Sequence, residues 1–248
     1  MIFAKRFGVL SLVAASFCVE VQAQEKCNFE AKLLLVPTQV RAAISLLHAT
    51  RPLRTRIYFY DTPALDLLSK GLILRLRQGA SNDLTAKLRP LPGERFSDSS
   101  SGSERPKCEV EITGGVEGRS YSVGSRYSDG HAPETGKEIV RLLSSGQKRL
   151  IEDSQIQIDW TKVKRVADIE STSWTVSAQA PLHKFSMELW DWPNGKILEI
   201  STKVGPAAGR AAYGELESLA KKKGLALSAV QQSKTATALE EMNTVPVR

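Results

Sequence analysis

Histidine and cysteine are scarce in this chain of 248 residues, which contains three of each. The histidines His48, His131 and His183 lie far apart without metal-ligand spacing, so a histidine-based metal centre is not expected. The glycine turns lack the Gly-Lys-Ser/Thr sequence of a phosphate-binding loop. The Ser-rich segment 97–103 contains no nucleophile elbow. These absences argue against the P-loop nucleotidases and the serine hydrolases.

Long apolar runs are also absent, except near the N-terminus. Lys5 and Arg6 precede an apolar stretch over residues 7–19, which is too short to span a bilayer comfortably. Small residues at 21–23 then provide a cleavage context. The pattern predicts a signal peptide over residues 1–23 and a periplasmic or secreted protein without membrane contact after cleavage. An N-terminal membrane anchor or a buried strand is the alternative interpretation.

Export would remove Cys18 and leave Cys27 and Cys108. Two cysteines are the number that one disulfide needs in an oxidising compartment. Both lie on the apolar side of their predicted strands, so the bridge should join the strands away from their polar faces. Metal ligation is the weaker alternative, because no histidine or third cysteine lies nearby.

Positive charge is in excess, with a formal net charge of +7. The excess suggests an anionic partner, although solubility would explain it equally well. A hydrophobic content of 42% is ordinary for a globular protein. No linker divides the chain, which predicts a single domain over residues 24–248 with a core at about 28–240.

Alternating charged and apolar residues predict an α+β fold of roughly eight antiparallel strands with peripheral helices. The predicted strands are 28–36, 56–60, 72–78, 84–89, 108–112, 155–160, 163–176, 184–190 and 197–204. The predicted helical segments are 37–49, 63–70, 135–146, 207–223 and 228–241. The turn at 192–195 should join the last two strands as a hairpin.

Charged residues collect on one face of these strands. Arg75 and Arg77 lie two residues apart and share a face, where two planar cations suit a phosphate. The other strand positions with this pattern are Asn28, Glu30, Lys32, Thr85, Lys87, Arg89, Glu109, Glu111, Ser186, Glu188, Glu199, Ser201 and Lys203. A sheet with its charged face in water would explain the pattern. A barrel whose polar lumen holds an anion and a cation would explain it as well.

The segment 58–77 (YFYDTPALDLLSKGLILRLR) resembles the CYTH domain of the triphosphate tunnel metalloenzymes. The supporting matches are Glu30-x-Lys32, Lys87, Glu109-x-Glu111, a late hairpin ending at Glu199, and Ser233-Lys234. The resemblance spans about residues 28–240. It implies an eight-stranded antiparallel β-barrel, a tunnel open at its ends, which binds an inorganic or organic triphosphate and usually needs Mg²⁺ or Mn²⁺.

The resemblance also implies roles for individual residues. The implied phosphate binders are Lys32, Arg75, Arg77, Lys87, Arg89, Arg165 and Lys234. The implied metal ligands are Glu30, Glu199, Glu109, Glu111 and Glu188, with Glu30 and Glu199 the catalytic pair. Asn28 and Ser201 stand where the family usually has glutamate, and each change removes a negative charge.

Four functions follow from these observations as hypotheses. The leading one is metal-dependent hydrolysis of a triphosphate or short polyphosphate. The second is a non-catalytic phosphate or polyphosphate binder with a degenerate metal site. Adenylyl cyclase activity is disfavoured because an exported protein rarely meets ATP, and a scaffold whose charged face meets solvent is the fourth. The expected partner is a small phosphate-rich anion, and no specific nucleic acid is predicted.

Overall fold

The computed structural model describes residues 27–91, 96, 105–128, 130–178, 182 and 184–244. The predicted signal peptide, His183 and the Ser-rich segment 97–103 lie outside the described residues. None of the described helices has the length and apolar character needed to span a bilayer.

Nine strands of the described residues close into one barrel. They are β1 (Asn28–Leu35), β2 (Thr50–Asp61), β3 (Leu72–Gly79), β4 (Asp83–Leu88), β5 (Lys107–Thr113), β6 (Val116–Arg126), β7 (Lys164–Ser177), β8 (Lys184–Trp192) and β9 (Gly195–Val204). Their order around the barrel is β1-β5-β6-β4-β3-β2-β7-β8-β9, and β9 pairs with β1 to close it. Neighbouring strands are antiparallel except β1 and β5, which run parallel.

The barrel interpretation of the polar faces is therefore confirmed, whereas the prediction of eight antiparallel strands is wrong in number and direction. The ninth strand is β6, whose inward positions Gly118, Ser120, Ser122 and Gly124 carry neither charge nor apolar bulk. Its sequence thus lacks the alternation on which the prediction relied. The strand predicted at 155–160 is irregular chain.

Six α-helices and two short 3₁₀ helices, Pro37–Gln39 and Pro206–Ala208, accompany the barrel in the described residues. The α-helices are α1 (Val40–Leu46), α2 (Asp66–Ser69), α3 (Gly136–Leu142), α4 (Ser145–Asp153), α5 (Gly209–Lys222) and α6 (Lys234–Thr244). The capping box predicted for α3 is formed by Thr135 and Glu138. The single helix predicted to end at Gly146 is two helices, because Leu143 is extended and Ser144 begins a second capping box.

Apolar side chains on the outside of the barrel pack beneath these helices. The cluster under α3 and α4 includes Tyr58, Tyr60, Leu74, Leu84, Ile139 and Leu150. The cluster under α1 and α5 includes Leu33, Leu35, Ala43, Ile200 and Leu216. The helices bury the outer, apolar faces of the strands. The opposite faces, which carry the charged residues, therefore point into the lumen.

A third apolar cluster lies inside one end of the barrel and includes residues of α6. Its inward-facing strand residues are Leu34, Ile57, Phe59, Ile73, Ala167, Ile169, Trp190 and Ile197. Ala238 and Leu239 of α6 are buried among them. The last helix therefore covers this end, contrary to the expectation of a tunnel open at its ends.

Cys27 and Cys108 form the predicted disulfide. Cys108 lies opposite Tyr121 and packs against the outer cluster under α3 and α4. The bridge thus joins the residue before β1 to β5 on the outside of the barrel, as predicted, and leaves the lumen unobstructed by sulfur.

Candidate active site in the barrel lumen

The strand register brings the predicted charged positions into one lumen. Residues directly opposite each other on paired strands share a face. Glu30 lies opposite both Glu111 on β5 and Lys203 on β9. Glu188 likewise lies opposite Glu199. Closure of the barrel makes this shared face its interior.

Three glutamates from β1 and β5 form an acidic cluster. They are Glu30, Glu109 and Glu111, and one carboxylate oxygen from each lies within 4.8 Å of the others. The parallel pairing of β1 with β5 places Glu30 beside Glu111. Because Mg²⁺ and Mn²⁺ prefer carboxylate oxygens, the acidic cluster is chemically suited to a divalent ion.

Glu111 is the most heavily paired member of the acidic cluster. Lys32 Nζ lies 3.0 Å from a Glu111 oxygen and 3.1 Å from Glu30. Arg89 donates to the other Glu111 oxygen at 2.8 Å, and Lys87 donates to the oxygen that Lys32 approaches. Burial opposes ionisation of Glu111, yet these cations hold its pKa well below the usual value.

Lys87 loses its proton more easily than Lys32, the other lysine that contacts Glu111. Burial, with repulsion from Lys32 and Arg89, lowers the pKa of Lys87 to about 8 despite its contact with Glu111. Glu111 offsets these effects only in part, because three cations share its carboxylate.

Lys203 and Glu109 form a separate ion pair at the acidic cluster. The ammonium lies 2.5 Å from a Glu109 oxygen. Lys203 also lies opposite Glu30 in the pairing of β1 with β9, so its positive charge acts on the Glu30 carboxylate. Burial acts against ionisation of Glu30, but Lys32 and Lys203 hold the pKa of Glu30 below its usual value.

Arg75 and Arg77 share the inward face of β3, as the strand period predicted. Arg75 Nε is buried without a hydrogen-bond partner among the described residues, and its Nη2 reaches Thr85 only at 3.5 Å. Within the described ranges, the Arg77 guanidinium makes no hydrogen bond and no close ion pair, although its charge helps to lower the pKa of Glu188. Burial and the adjacent Arg77 lower the pKa of Arg75 to about 10. The pair therefore retains hydrogen-bond donors for an anion.

Lys234, the first residue of α6, reaches into the lumen from the covered end. Its ammonium lies 2.7 Å from Glu199, hydrogen-bonds Glu188, and sits 4.7 Å from the centre of the Trp190 ring. Burial would lower the pKa of Lys234, but the two glutamates raise it. These contacts make Lys234, Glu188 and Glu199 a second charged group, the Lys234 cluster.

Comparison with solved structures finds the same barrel in several proteins, including two candidate adenylyl cyclases. A candidate adenylyl cyclase from Hippeastrum with a dominant triphosphatase activity has a TM-score of 0.58 at 17% identity, over 88% of this chain and 97% of that one. A candidate adenylate cyclase from Bacillus halodurans has a TM-score of 0.57 at 14% identity, over 86% and 97%. The chain shares their fold. No family model and no curated protein matches the sequence.

The five predicted metal ligands fall into two places in the shared fold. Glu30, Glu109 and Glu111 form the acidic cluster. Glu188 and Glu199 instead bind the ammonium of Lys234. The predicted catalytic pair of Glu30 and Glu199 is thus divided between the two clusters.

Arg165 is the one predicted phosphate binder that the structure places away from the lumen group. Its guanidinium lies 5.2 Å above the Tyr58 ring, in the outer cluster, and pairs with Glu134 at 2.5 Å. A register shift in the pairing of β2 with β7 falls between Phe59 and Tyr60. Such a bulge moves the following residues to the opposite face, which explains the outward direction of Arg165.

Trp190 is a lumen residue that the predicted site lacks, although strand period places it on the same face as Glu188, two positions earlier. Strand period placed Lys203 on the charged face with Glu199, but the predicted site gave Lys203 no role. The two positions that lack the usual glutamate also lie in the lumen. Asn28 is opposite Glu109, and Ser201 is opposite Lys32.

Proposed function

We propose that the lumen binds the phosphate chain of a triphosphate or short polyphosphate and cleaves a phosphoanhydride bond with Mg²⁺ or Mn²⁺. The observation that carries this proposal is that Arg75 and Arg77, which form no ion pair among the described residues, share the closed lumen with a three-carboxylate cluster. The shared fold with a protein of triphosphatase activity supports it. On this basis the chain would be a member of the CYTH family.

The cations would act on the phosphate oxygens. Arg75 and Arg77 offer planar groups of donors, which bind phosphate in a bidentate manner. Lys32, Lys87 and Arg89 would share their charge between Glu111 and the bound anion. Phosphoryl transfer depends mainly on positioning and on stabilising charge over the phosphoryl oxygens, and fixed cations supply both.

The acidic cluster would hold the metal through Glu30, Glu109 and Glu111. A bound divalent ion would supply a Lewis acid and an activated water. The Lys234 cluster would anchor α6 instead, because both of its carboxylates contact one ammonium. With α6 in place, the apolar layer under this helix keeps water from the covered end of the lumen.

Phosphate release from tripolyphosphate with Mg²⁺ or Mn²⁺ tests hydrolysis directly. Chelation with EDTA should abolish the release, and Glu111→Gln should reduce it by roughly 100-fold or more because a metal ligand and the partner of three cations are lost. Arg165→Gln is the matched control and should retain activity, since Arg165 pairs outside the lumen. Micromolar binding without turnover under either metal would rule out hydrolysis.

A non-catalytic anion binder is the second candidate function. It is favoured by the uncharged Asn28 and Ser201 and by the cations already paired with the acidic cluster. If this account holds, Asn28→Glu combined with Ser201→Glu should create a hydrolytic activity that the natural chain lacks. A double variant that binds metal and tripolyphosphate without turnover would count against it.

Export is a further part of the proposal and rests on residues 1–23. Expression in a secretory host followed by mass spectrometry of the recovered protein should show a mature N-terminus near Gln24. Recovery of the uncleaved chain in the membrane fraction would favour the anchor alternative.

A further inference from the structure

We propose that Lys203 acts as a tethered cation that keeps free divalent metal ions out of the acidic cluster until a triphosphate arrives. This inference rests on the proposed metal-assisted function and adds an order of binding to it. The metal would enter with the phosphate chain and not before it.

The contact with Glu109 is the first step in the argument. Lys203 Nζ lies 2.5 Å from Glu109 Oε1, so the ammonium occupies one of the carboxylate oxygens that a metal would use. Among the residues that the structure describes, the one other cation within 4.0 Å of Glu109 is Lys87, at that distance. Among the described residues, removing Lys203 therefore frees this carboxylate more than any other single change.

Lys203 differs from the other cations of the cluster in its freedom to move. Its side chain is 61% exposed, whereas the side chains of Lys32 and Lys87 are 13% and 14% exposed. It also lies one residue before the end of β9. A long exposed lysine can leave one carboxylate for another anion at little cost, because solvent screens its ion pair.

Charge then sets the order of binding. A free divalent ion approaching Glu109 must displace one cation and meets the repulsion of Lys32, Lys87 and Arg89, which pair with Glu111. A triphosphate with its bound metal remains an anion, so the same cations attract it. Lys203 can then transfer from Glu109 to a phosphate oxygen, and the carboxylate becomes available to the metal.

Mn²⁺ binding to the protein without phosphate tests the role of Lys203. Electron paramagnetic resonance of free Mn²⁺ should show roughly three- to tenfold tighter binding to Lys203→Met than to the natural chain, because a solvent-screened positive charge beside Glu109 is removed. Lys203→Gln should behave in the same way. Lys196→Met is the matched control, since Lys196 lies on β9, is 54% exposed and pairs with Asp191 at 2.5 Å; its Mn²⁺ affinity should not change.

Two results would overturn the proposal. One is equal Mn²⁺ affinity in the natural chain and both Lys203 variants, and the other is an equal gain in the Lys196 control. A calorimetric titration with tripolyphosphate in metal-free buffer separates this outcome from failure of the proposed function. Binding there with unchanged Mn²⁺ affinities rejects only the role of Lys203, whereas absence of binding rejects the anion site on which it rests.

Discussion

Replacing Arg75 with glutamine should stabilise the fold and weaken anion binding at the same time. Burial and the neighbouring Arg77 lower the pKa of Arg75 to about 10, well below the ordinary value of a guanidinium. A cation whose pKa falls on folding is less favourable in the folded protein than in the unfolded chain, at every pH below the folded value. At neutral pH the guanidinium of Arg75 therefore opposes folding.

The size of the two effects follows from the environment of Arg75. One unit of pKa shift corresponds to about 1.4 kcal/mol, and the glutamine amide must itself find hydrogen bonds in the lumen. We therefore expect the free energy of unfolding to rise by about 1–3 kcal/mol. Loss of charge-assisted hydrogen bonds, each contributing about 1.5–3 kcal/mol, should weaken tripolyphosphate binding by roughly 10- to 100-fold.

Urea unfolding at pH 7 and calorimetry with tripolyphosphate measure the two effects. The unfolding buffer must contain no phosphate, because a bound anion would stabilise the natural chain and hide the gain. Arg54→Gln is the control, since Arg54 is exposed on β2 and should change neither quantity. Lower stability of Arg75→Gln at an unchanged m-value, or unchanged affinity, would refute the reasoning.

Three further predictions concern groups around the lumen. Lys234→Met should lower the free energy of unfolding by about 3–5 kcal/mol, because it leaves two glutamates without their cation. When Glu188→Gln and Glu199→Gln are added to Lys234→Met, thermal unfolding should show that part of the lost stability returns. An unchanged midpoint for Lys234→Met would contradict the anchoring role. In metal-free buffer the affinity for tripolyphosphate should fall as pH rises above about 8, where Lys87 loses its proton. Calorimetry in two buffers with different heats of ionisation should detect proton uptake on binding near that pH. An affinity that does not change with pH would contradict this prediction. Replacing both cysteines of the disulfide, with Cys27→Ser and Cys108→Ser, should lower the free energy of unfolding by about 2–4 kcal/mol. Thiol titration of the unreduced, unfolded chain that begins at Gln24 should find no free thiol.

Side-chain period predicted much of the lumen from sequence alone. The positions of Glu30, Lys32, Arg75 and Arg77 follow from alternation within one strand, which needs no knowledge of strand order. The choice between an open sheet and a barrel required the pairing of β1 with β9, a contact between the two ends of the fold. Local pattern contains no information about that pairing.

The failed predictions share a dependence on contacts between distant residues. The parallel pairing of β1 with β5 creates the acidic cluster, yet neither strand carries a sign of its direction. The bulge near Phe59 reverses the face of Arg165, although the sequence of β7 alone gives no reason for it. The approach of Lys234 to Glu188 and Glu199 likewise depends on where α6 packs.

Charge balance connects the proposed order of binding with the stability prediction. Seven lumen cations face six carboxylates in the candidate site. The cations are Lys32, Arg75, Arg77, Lys87, Arg89, Lys203 and Lys234, and the carboxylates are Glu30, Asp83, Glu109, Glu111, Glu188 and Glu199. Cations therefore exceed carboxylates without a ligand. Burial is the main cause of the lowered pKa values of Arg75 and Lys87, and repulsion from the neighbouring cations adds to it. A divalent ion alone would enlarge the excess, whereas a phosphate chain reduces it. Burial and repulsion together make Arg75 unfavourable for folding, and the repulsion between cations also favours binding of the anion before, or together with, the metal.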